Sequence, residues 1–248
     1  MKVNYRMGLL PWLVLMMASV GTASGAAPIA EAELHEDVTN AFVNPQKASK
    51  LPKVLIIGDS ISIGYTDPVR KKLAGKADVS RPNVNCQHSG TGVQMVKRWM
   101  GTTKWDVIHF NFGIWDTHWV DAKGALVRTE ADYPPSSGIH LRYTPEQYRE
   151  NLTQIIKVLQ GSGAKLIWAS TTPVMYRKGA RLKAIPTLNR TAEELMKANN
   201  IAIDDLYSFV MPSVKKWQME DQVHFNALGN DELGKQVSES ILKALKSK

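Results

Sequence analysis

Four short apolar runs constrain this chain more than any other feature. They are "KVLIIG" (53–58), "WDVIHFNFG" (105–113), "AKLIWAS" (164–170) and "NIAIDD" (200–205). Each has the length of a strand, is rich in β-branched or aromatic residues, and stops at small or polar residues. Continuous apolar character, rather than alternation, marks a strand buried on both faces. A weaker fifth candidate, "DVSRPNVN" (78–85), contains Pro82, which suits an edge strand because proline cannot donate to a central ladder.

Helical patterns lie between these runs. One is expected across 67–73. The tetrapeptide Thr144-Pro145-Glu146-Gln147 is a helix start: Thr144 can cap, Pro145 suits the first turn, and Gln147 completes a capping box. Behind it Tyr148, Leu152, Ile155 and Leu159 share a face, and Gly161 and Gly163 end the run. Leu188, Ala192 and Leu195 form a second stripe, and Leu233, Val237, Ile241 and Leu245 a third. Strands buried on both faces, alternating with helices, call for a mostly parallel five-stranded sheet in a three-layer α/β/α sandwich. Right-handed crossovers then bring the carboxyl ends of the strands to one rim, where open α/β sheets bind ligands. Ser60, the segment after Gly113, and Thr171-Thr172-Pro173 would share that rim. The connection 117–143 exceeds ordinary loop length and leaves the same rim, so it is expected to face substrate.

The amino terminus has a different composition. Lys2 and Arg6 precede the apolar stretch "MGLLPWLVLMMASV", and the small residues "GTASGAA" follow. This reads as a secretory signal peptide over about 1–25, cleaved after Ala23, Gly25 or Ala26. The apolar run is shorter than the ~20 residues of a membrane span and carries a proline. Residues 26–50 form an irregular lead-in, and 51–248 the folded domain. The mature protein is therefore expected outside the cytoplasm, secreted or periplasmic, with no membrane attachment after cleavage. Removing Lys2 and Arg6 lowers the formal charge from +8 to +6. The charges are scattered and no nucleic-acid motif is present, so no nucleic-acid partner is expected. Cys86 is the only cysteine, which excludes an intrachain disulfide and multi-cysteine zinc sites.

The chemistry begins at Gly58-Asp59-Ser60, where the first buried strand runs into a small polar turn. A serine hydroxyl is a weak nucleophile and needs a positioned base. The candidate is His224 in "MEDQVHFNALGN", with Asp221 three residues earlier to orient the imidazole. Asp59 is read as a turn residue. Gly58-Asp59-Ser60 after the first strand, with Asp221-x-x-His224 before the last helix, resembles the SGNH hydrolases, the GDSL esterase/lipase family. The resemblance covers about 53–245 and implies a flavodoxin-like sandwich. It also implies a serine esterase that needs no cofactor or metal, with Ser60, His224 and Asp221 as its triad. A second block, often N-x-x-x-S-G, matches Asn85 to Gly90, which implies that the N–H groups of Ser60 and Gly90 receive an oxyanion. The third block, G-x-N-D, reads Gly113-Ile114-Trp115-Asp116, with Trp115 in place of the Asn that is the third donor. Losing such a donor costs about 100- to 1,000-fold in turnover. Three readings stay open: the Trp115 indole N–H substitutes, His118 or Asn111 reaches in, or the chain is a weak or inactive relative. Asp116 is read as bracing the loop.

The substrate expected is an acyl ester, most simply an acetyl ester, on a small molecule or a polysaccharide. Trp119, with His118 beside it, is the candidate sugar platform. Alternatives are a carbohydrate-binding relative without activity, and a lipid esterase or thioesterase. Trp99, Trp105 and Trp168 are assigned to the core, His109 to a satisfied core position, and no metal site is assigned. Asn151-Leu-Thr and Asn189-Arg-Thr match glycosylation acceptors, but both fall in expected helices.

Overall fold

A computed structural model describes residues 41–42, 44, 50–128, 131 and 133–247. The expected signal peptide and most of the lead-in lie outside the described residues. No helix among the described residues is long and apolar enough to cross a membrane.

In chain order the elements are β1 (Lys53–Ile57), α1 (Ser60–Lys72), β2 (Asp78–Ser80), α2 (Ser89–Met100), β3 (Val107–Phe110), β4 (Trp119–Val120), β5 (His140–Leu141), α3 (Pro145–Gln160), β6 (Lys165–Ala169), α4 (Ala184–Ala198), β7 (Ala202–Asp204), α5 (Leu206–Val210), α6 (Val214–Trp217) and α7 (Ala227–Lys246). Five strands form one sheet in the order β2-β1-β3-β6-β7. Every pairing is parallel, with Val54 opposite both Val79 and Val107, His109 opposite Ile167, and Trp168 opposite Ile203. Numbered along the sheet this is 2-1-3-4-5, the flavodoxin-like order, with the topological switch between β1 and β3. β2 is the edge strand that Pro82 led one to expect, and it stops two residues before that proline. Just past it, Asn44 grips the backbone of Arg81: its amide donates to Arg81 O (2.9 Å) and its carbonyl oxygen accepts Arg81 N–H (2.9 Å).

Successive strand side chains point to opposite faces, and the core divides accordingly. Val54 and Ile56 face a cluster with Ile61, Tyr65 and Val69 of α1 and Leu233, Val237 and Ile241 of α7. Leu55 and Ile57 face the other, with Val96 of α2, Tyr148, Leu152, Ile155 and Leu159 of α3, and Leu188, Ala192 and Met196 of α4. These are the three layers of the sandwich. In α4 the buried stripe continues to Met196, while Leu195 is only partly covered.

The capping box at α3 is complete: Gln147 N–H donates to Thr144 Oγ1 (3.2 Å), and Thr144 N–H to Gln147 Oε1 (2.9 Å). The first helix departs from expectation. It begins at Ser60 rather than near 67, because Asp59 caps it, its Oδ1 accepting Ile61 N–H at 3.0 Å. Gly64 and Pro68 had diluted the helical pattern over that stretch. The connection 117–143 is also not structureless. Its ends pair as the antiparallel β4–β5 ribbon, Trp119 opposite Leu141 and Val120 opposite His140.

Candidate active site

The carboxyl end of β1 and the start of α1 place Ser60 on the rim. Its hydroxyl oxygen lies 2.8 Å from Nε2 of His224, and Nδ1 of His224 lies 2.6 Å from Oδ2 of Asp221. Asp221 is half-exposed. Partial burial works against its charge, but bonds from the His224 ring and from the N–H groups of Val223 and His224 hold its carboxyl below the ordinary carboxylate range. An ionised carboxylate can only accept, so Nδ1 carries the proton and Nε2 is left as an acceptor for the Ser60 hydroxyl.

The turn that carries the imidazole is built to hold it. Residues 218 and 225 bridge antiparallel, Met219 N–H donates to His224 O (2.8 Å), and Asn226 N–H to Trp217 O (2.8 Å). Asn226 then caps α7. Gln222, at the tip, adopts a left-handed backbone (φ 56°), which a non-glycine residue keeps only where its surroundings impose it. Its carbonyl accepts Met175 N–H (3.0 Å), and the Gln218 amide donates to Pro173 O (2.7 Å). The segment after β6 thus anchors the turn from the far side of the rim.

Beneath the serine sits Arg81, 2% exposed. Its guanidinium donates to Gly58 O (3.3 Å), Val84 O (3.3 Å), Ser62 Oγ (3.1 Å) and Thr66 Oγ1 (3.3 Å). Ser62 in turn donates to Asp59 O (2.7 Å). One buried cation therefore fixes the two carbonyls that precede Ser60, Gly58 O directly and Asp59 O through Ser62. Burial pushes the Asp59 carboxyl up to about 6, opposed by Ile61 N–H and by the nearby His224 and Arg81.

Gly90 is the second residue of α2, in a first turn whose N–H groups have no intrahelical acceptor. The same holds for Ser60 in α1. Cys86 N–H donates to Gly58 O (3.2 Å), so the approach to α2 is tied to the serine turn. Asp116 braces the arrangement. Fully buried, it accepts Ser89 N–H (3.0 Å) and the Ser89 hydroxyl, and its backbone carbonyl accepts Tyr143 N–H (3.2 Å). Asn151 adds a bond to Ser89 Oγ (2.9 Å) from α3.

Burial pushes the Asp116 carboxyl up to about 7, against the opposing Ser89 bonds and Arg142. A group raised on folding contributes stability that is complete below its unfolded value, near 4, and is lost as pH rises through about 7. Asp116→Asn removes that titration. The melting temperature of the variant relative to wild type is expected to climb between pH 4 and 7, and two parallel melting curves would refute it.

The third block differs from expectation in its surroundings. Gly113 turns the chain with φ 154°, and a Cβ there would collide with the Thr171 side chain. Trp115 and Asp116 follow in a single 3-10 turn, Trp115–Thr117. Three arginines hold that turn: Arg142 donates to Trp115 O (3.2 Å), Arg177 to Ile114 O (3.1 Å) and the Thr117 hydroxyl, and Arg181 to Thr117 O (3.2 Å). The Trp115 ring lies against His118 (5.1 Å between centroids) and packs on the cluster that includes Ile61 and Phe225, the chain neighbours of Ser60 and His224. Burial and the four arginines 177, 181, 142 and 128 push His118 down to about 3, so it is neutral.

Two expectations need correction. Asn111 does not reach toward the serine; its amide donates to Ala169 O (2.7 Å) and Thr171 Oγ1 (3.2 Å). Trp119 is no open platform: it is 6% exposed, with Arg181 over one side (5.9 Å) and Tyr133 edge-on (5.6 Å). His109 is only half satisfied, its Nε2 3.2 Å from Asp204 Oδ2 and its Nδ1 without a partner. Trp168 and Trp105 are core residues, and Trp99 packs at the core's margin. His88, left unassigned by the sequence, caps α2 through Thr91 N–H (3.1 Å), and His140 binds Val120 O. Among the described residues no group of three His, Cys, Asp or Glu side chains could hold a metal ion. Arg81 and Tyr143 gave no sequence signal, because their partners are brought together only by the fold.

Solved structures share this architecture. A lipase/acylhydrolase from Enterococcus faecalis matches with a TM-score of 0.61 and 22% identity, covering 80% of this chain and 99% of its own. An acetyl xylan esterase, AlAXEase, gives 0.61 and 16%, covering 76% and 99%. A carbohydrate esterase family 3 protein from Talaromyces cellulolyticus gives 0.57 and 14%, covering 79% and 99%. A search of curated proteins returns no match. The model of the GDSL-like lipase/acylhydrolase family spans residues 56–231, from within β1 to the first turns of α7, and the chain belongs to that family of carboxylic ester hydrolases.

Proposed function

We propose that this protein is an exported serine esterase that removes short acyl groups, acetyl foremost, from a carbohydrate. The observation that carries the chemistry is the Ser60 hydroxyl 2.8 Å from an imidazole whose other nitrogen meets Asp221. Ser60 Oγ attacks the ester carbonyl carbon as its proton passes to His224 Nε2. Asp221 accepts the Nδ1 proton bond and stabilises the imidazolium. The N–H groups of Ser60 and Gly90 receive the developing oxyanion. As the tetrahedral intermediate collapses, His224 returns the proton to the departing alkoxide and an acyl-enzyme remains. Water, deprotonated by His224, attacks the acyl carbon, the bond to Ser60 Oγ breaks as His224 returns the proton to it, and the acid leaves.

The choice of substrate is supported by the names of two structural relatives, an acetyl xylan esterase and a carbohydrate esterase. The leader-like composition of the first 25 residues supports export. The test uses protein recovered from outside the cytoplasm, whose first residue is expected to follow Ala23, Gly25 or Ala26. That material should release acetate from acetylated xylan and hydrolyse p-nitrophenyl acetate faster than p-nitrophenyl octanoate. The reverse chain-length order would replace the carbohydrate reading with a lipid one.

A further inference from the structure

The resemblance drawn from the sequence puts Trp115 where the third block carries an Asn donor. Asn111 is committed to Ala169 and Thr171, and the Trp115 ring lies tilted against His118. A different donor lies beside Gly90, one of the two N–H groups assigned to the oxyanion. Tyr143 is half-buried, and its hydroxyl rests against the backbone of Gly90, so closely that a Cβ on Gly90 would collide with it. We infer that the Tyr143 hydroxyl is the third hydrogen-bond donor to the oxyanion, beside the N–H groups of Ser60 and Gly90. This assignment rests on the serine-esterase reading above.

Three observations support it. The position is fixed from both sides: Tyr143 N–H donates to Asp116 O (3.2 Å), and Asp116 also grips Ser89, the residue before Gly90. Among the described residues the hydroxyl meets one weak hydrogen-bond partner, His88 Nδ1 at 3.4 Å, and that nitrogen already accepts Thr91 N–H at 3.1 Å. The Tyr143 proton can therefore turn to a substrate oxygen at little cost. Burial, and after it the nearby Asp116 carboxyl, raise the phenol above its ordinary range despite Arg142, so it keeps its proton and remains a donor. The assignment also accounts for glycine at position 90, since any side chain there would displace the phenol.

The experiment compares Tyr143→Phe, Trp115→Phe, Gly90→Ala and Ser60→Ala on p-nitrophenyl acetate. Tyr143→Phe keeps the ring and the backbone bond to Asp116. It is expected to lower kcat about 100-fold with KM changed less than about twofold, because the bond forms only in the transition state. Gly90→Ala should lose a similar factor, and the Tyr143→Phe/Gly90→Ala pair should lose no more than the greater single loss. If Tyr143→Phe is poorly folded by its melting curve, Gly90→Ala alone decides the matter, since it keeps the phenol but displaces its hydroxyl. A Tyr143→Phe enzyme within about threefold of wild type, fully additive losses, or a 100-fold loss in Trp115→Phe instead would overturn the assignment. An inactive Ser60→Ala in the same assay shows that such a failure belongs to Tyr143 alone; a fully active one removes the serine reading itself.

Discussion

Ser60→Ala is expected to lower kcat for p-nitrophenyl acetate by about 10^4- to 10^6-fold and to abolish stoichiometric labelling by a fluorophosphonate. The size follows from the geometry. The serine oxygen and His224 Nε2 are already within hydrogen-bonding distance, and the proton on Nδ1 faces Asp221. Removing the nucleophile leaves only water, oriented by whatever donors remain. His224→Ala should fall nearly as far, since the hydroxyl without its base is almost inert at neutral pH. The double variant should be scarcely worse than either single one, because the two groups act as a unit. Asp221→Asn is expected to lose about 10^4-fold through the wrong imidazole tautomer. Equal hydrolysis by wild type and Ser60→Ala would remove Ser60 from the reaction.

The second large effect concerns stability. Arg81→Met keeps much of the side-chain volume but strips Gly58 O, Val84 O, Ser62 Oγ and Thr66 Oγ1 of a buried donor. Gly58 O keeps Cys86 N–H, but each acceptor left stranded costs about 1–3 kcal/mol, offset in part because a buried cation no longer needs to be desolvated. Burial above all, with Arg70 adding to it, pulls the guanidinium down to about 10 against Cys86, Tyr65 and Asp59. A net loss of about 3–5 kcal/mol is expected in urea unfolding. Arg81→Lys retains the charge but lacks the planar fork that reaches these acceptors together, so it should recover only part of the loss. An Arg81→Met protein within about 1 kcal/mol of wild type would show that these bonds contribute little net.

Much of the fold was legible because its signals are local. The apolar runs at 53–58 and 164–170 sit where their composition put them, and Thr144 and Gln147 cap α3 as their spacing required. Ser60, Asp221 and His224 could be read because small motifs hold them at element boundaries. Trp119 was misread because the cation that covers it, Arg181, comes from a distant segment. Asn111 was misread for the same reason, its partners arriving from the end of β6 and the turn beyond. Tyr143 lies one residue before a clear helix cap, yet nothing local ties it to Gly90. Side chains whose meaning comes from tertiary neighbours carry no periodicity for a sequence to display.

The grip of Asn44 on Arg81 has a further consequence. β2 is an outer strand, and an outer strand offers unpaired amides as a template on which another chain can build. One carboxamide supplies both a donor and an acceptor where a foreign strand would dock. The Asn44 side chain thus satisfies, at Arg81, backbone groups that an added strand would otherwise pair with.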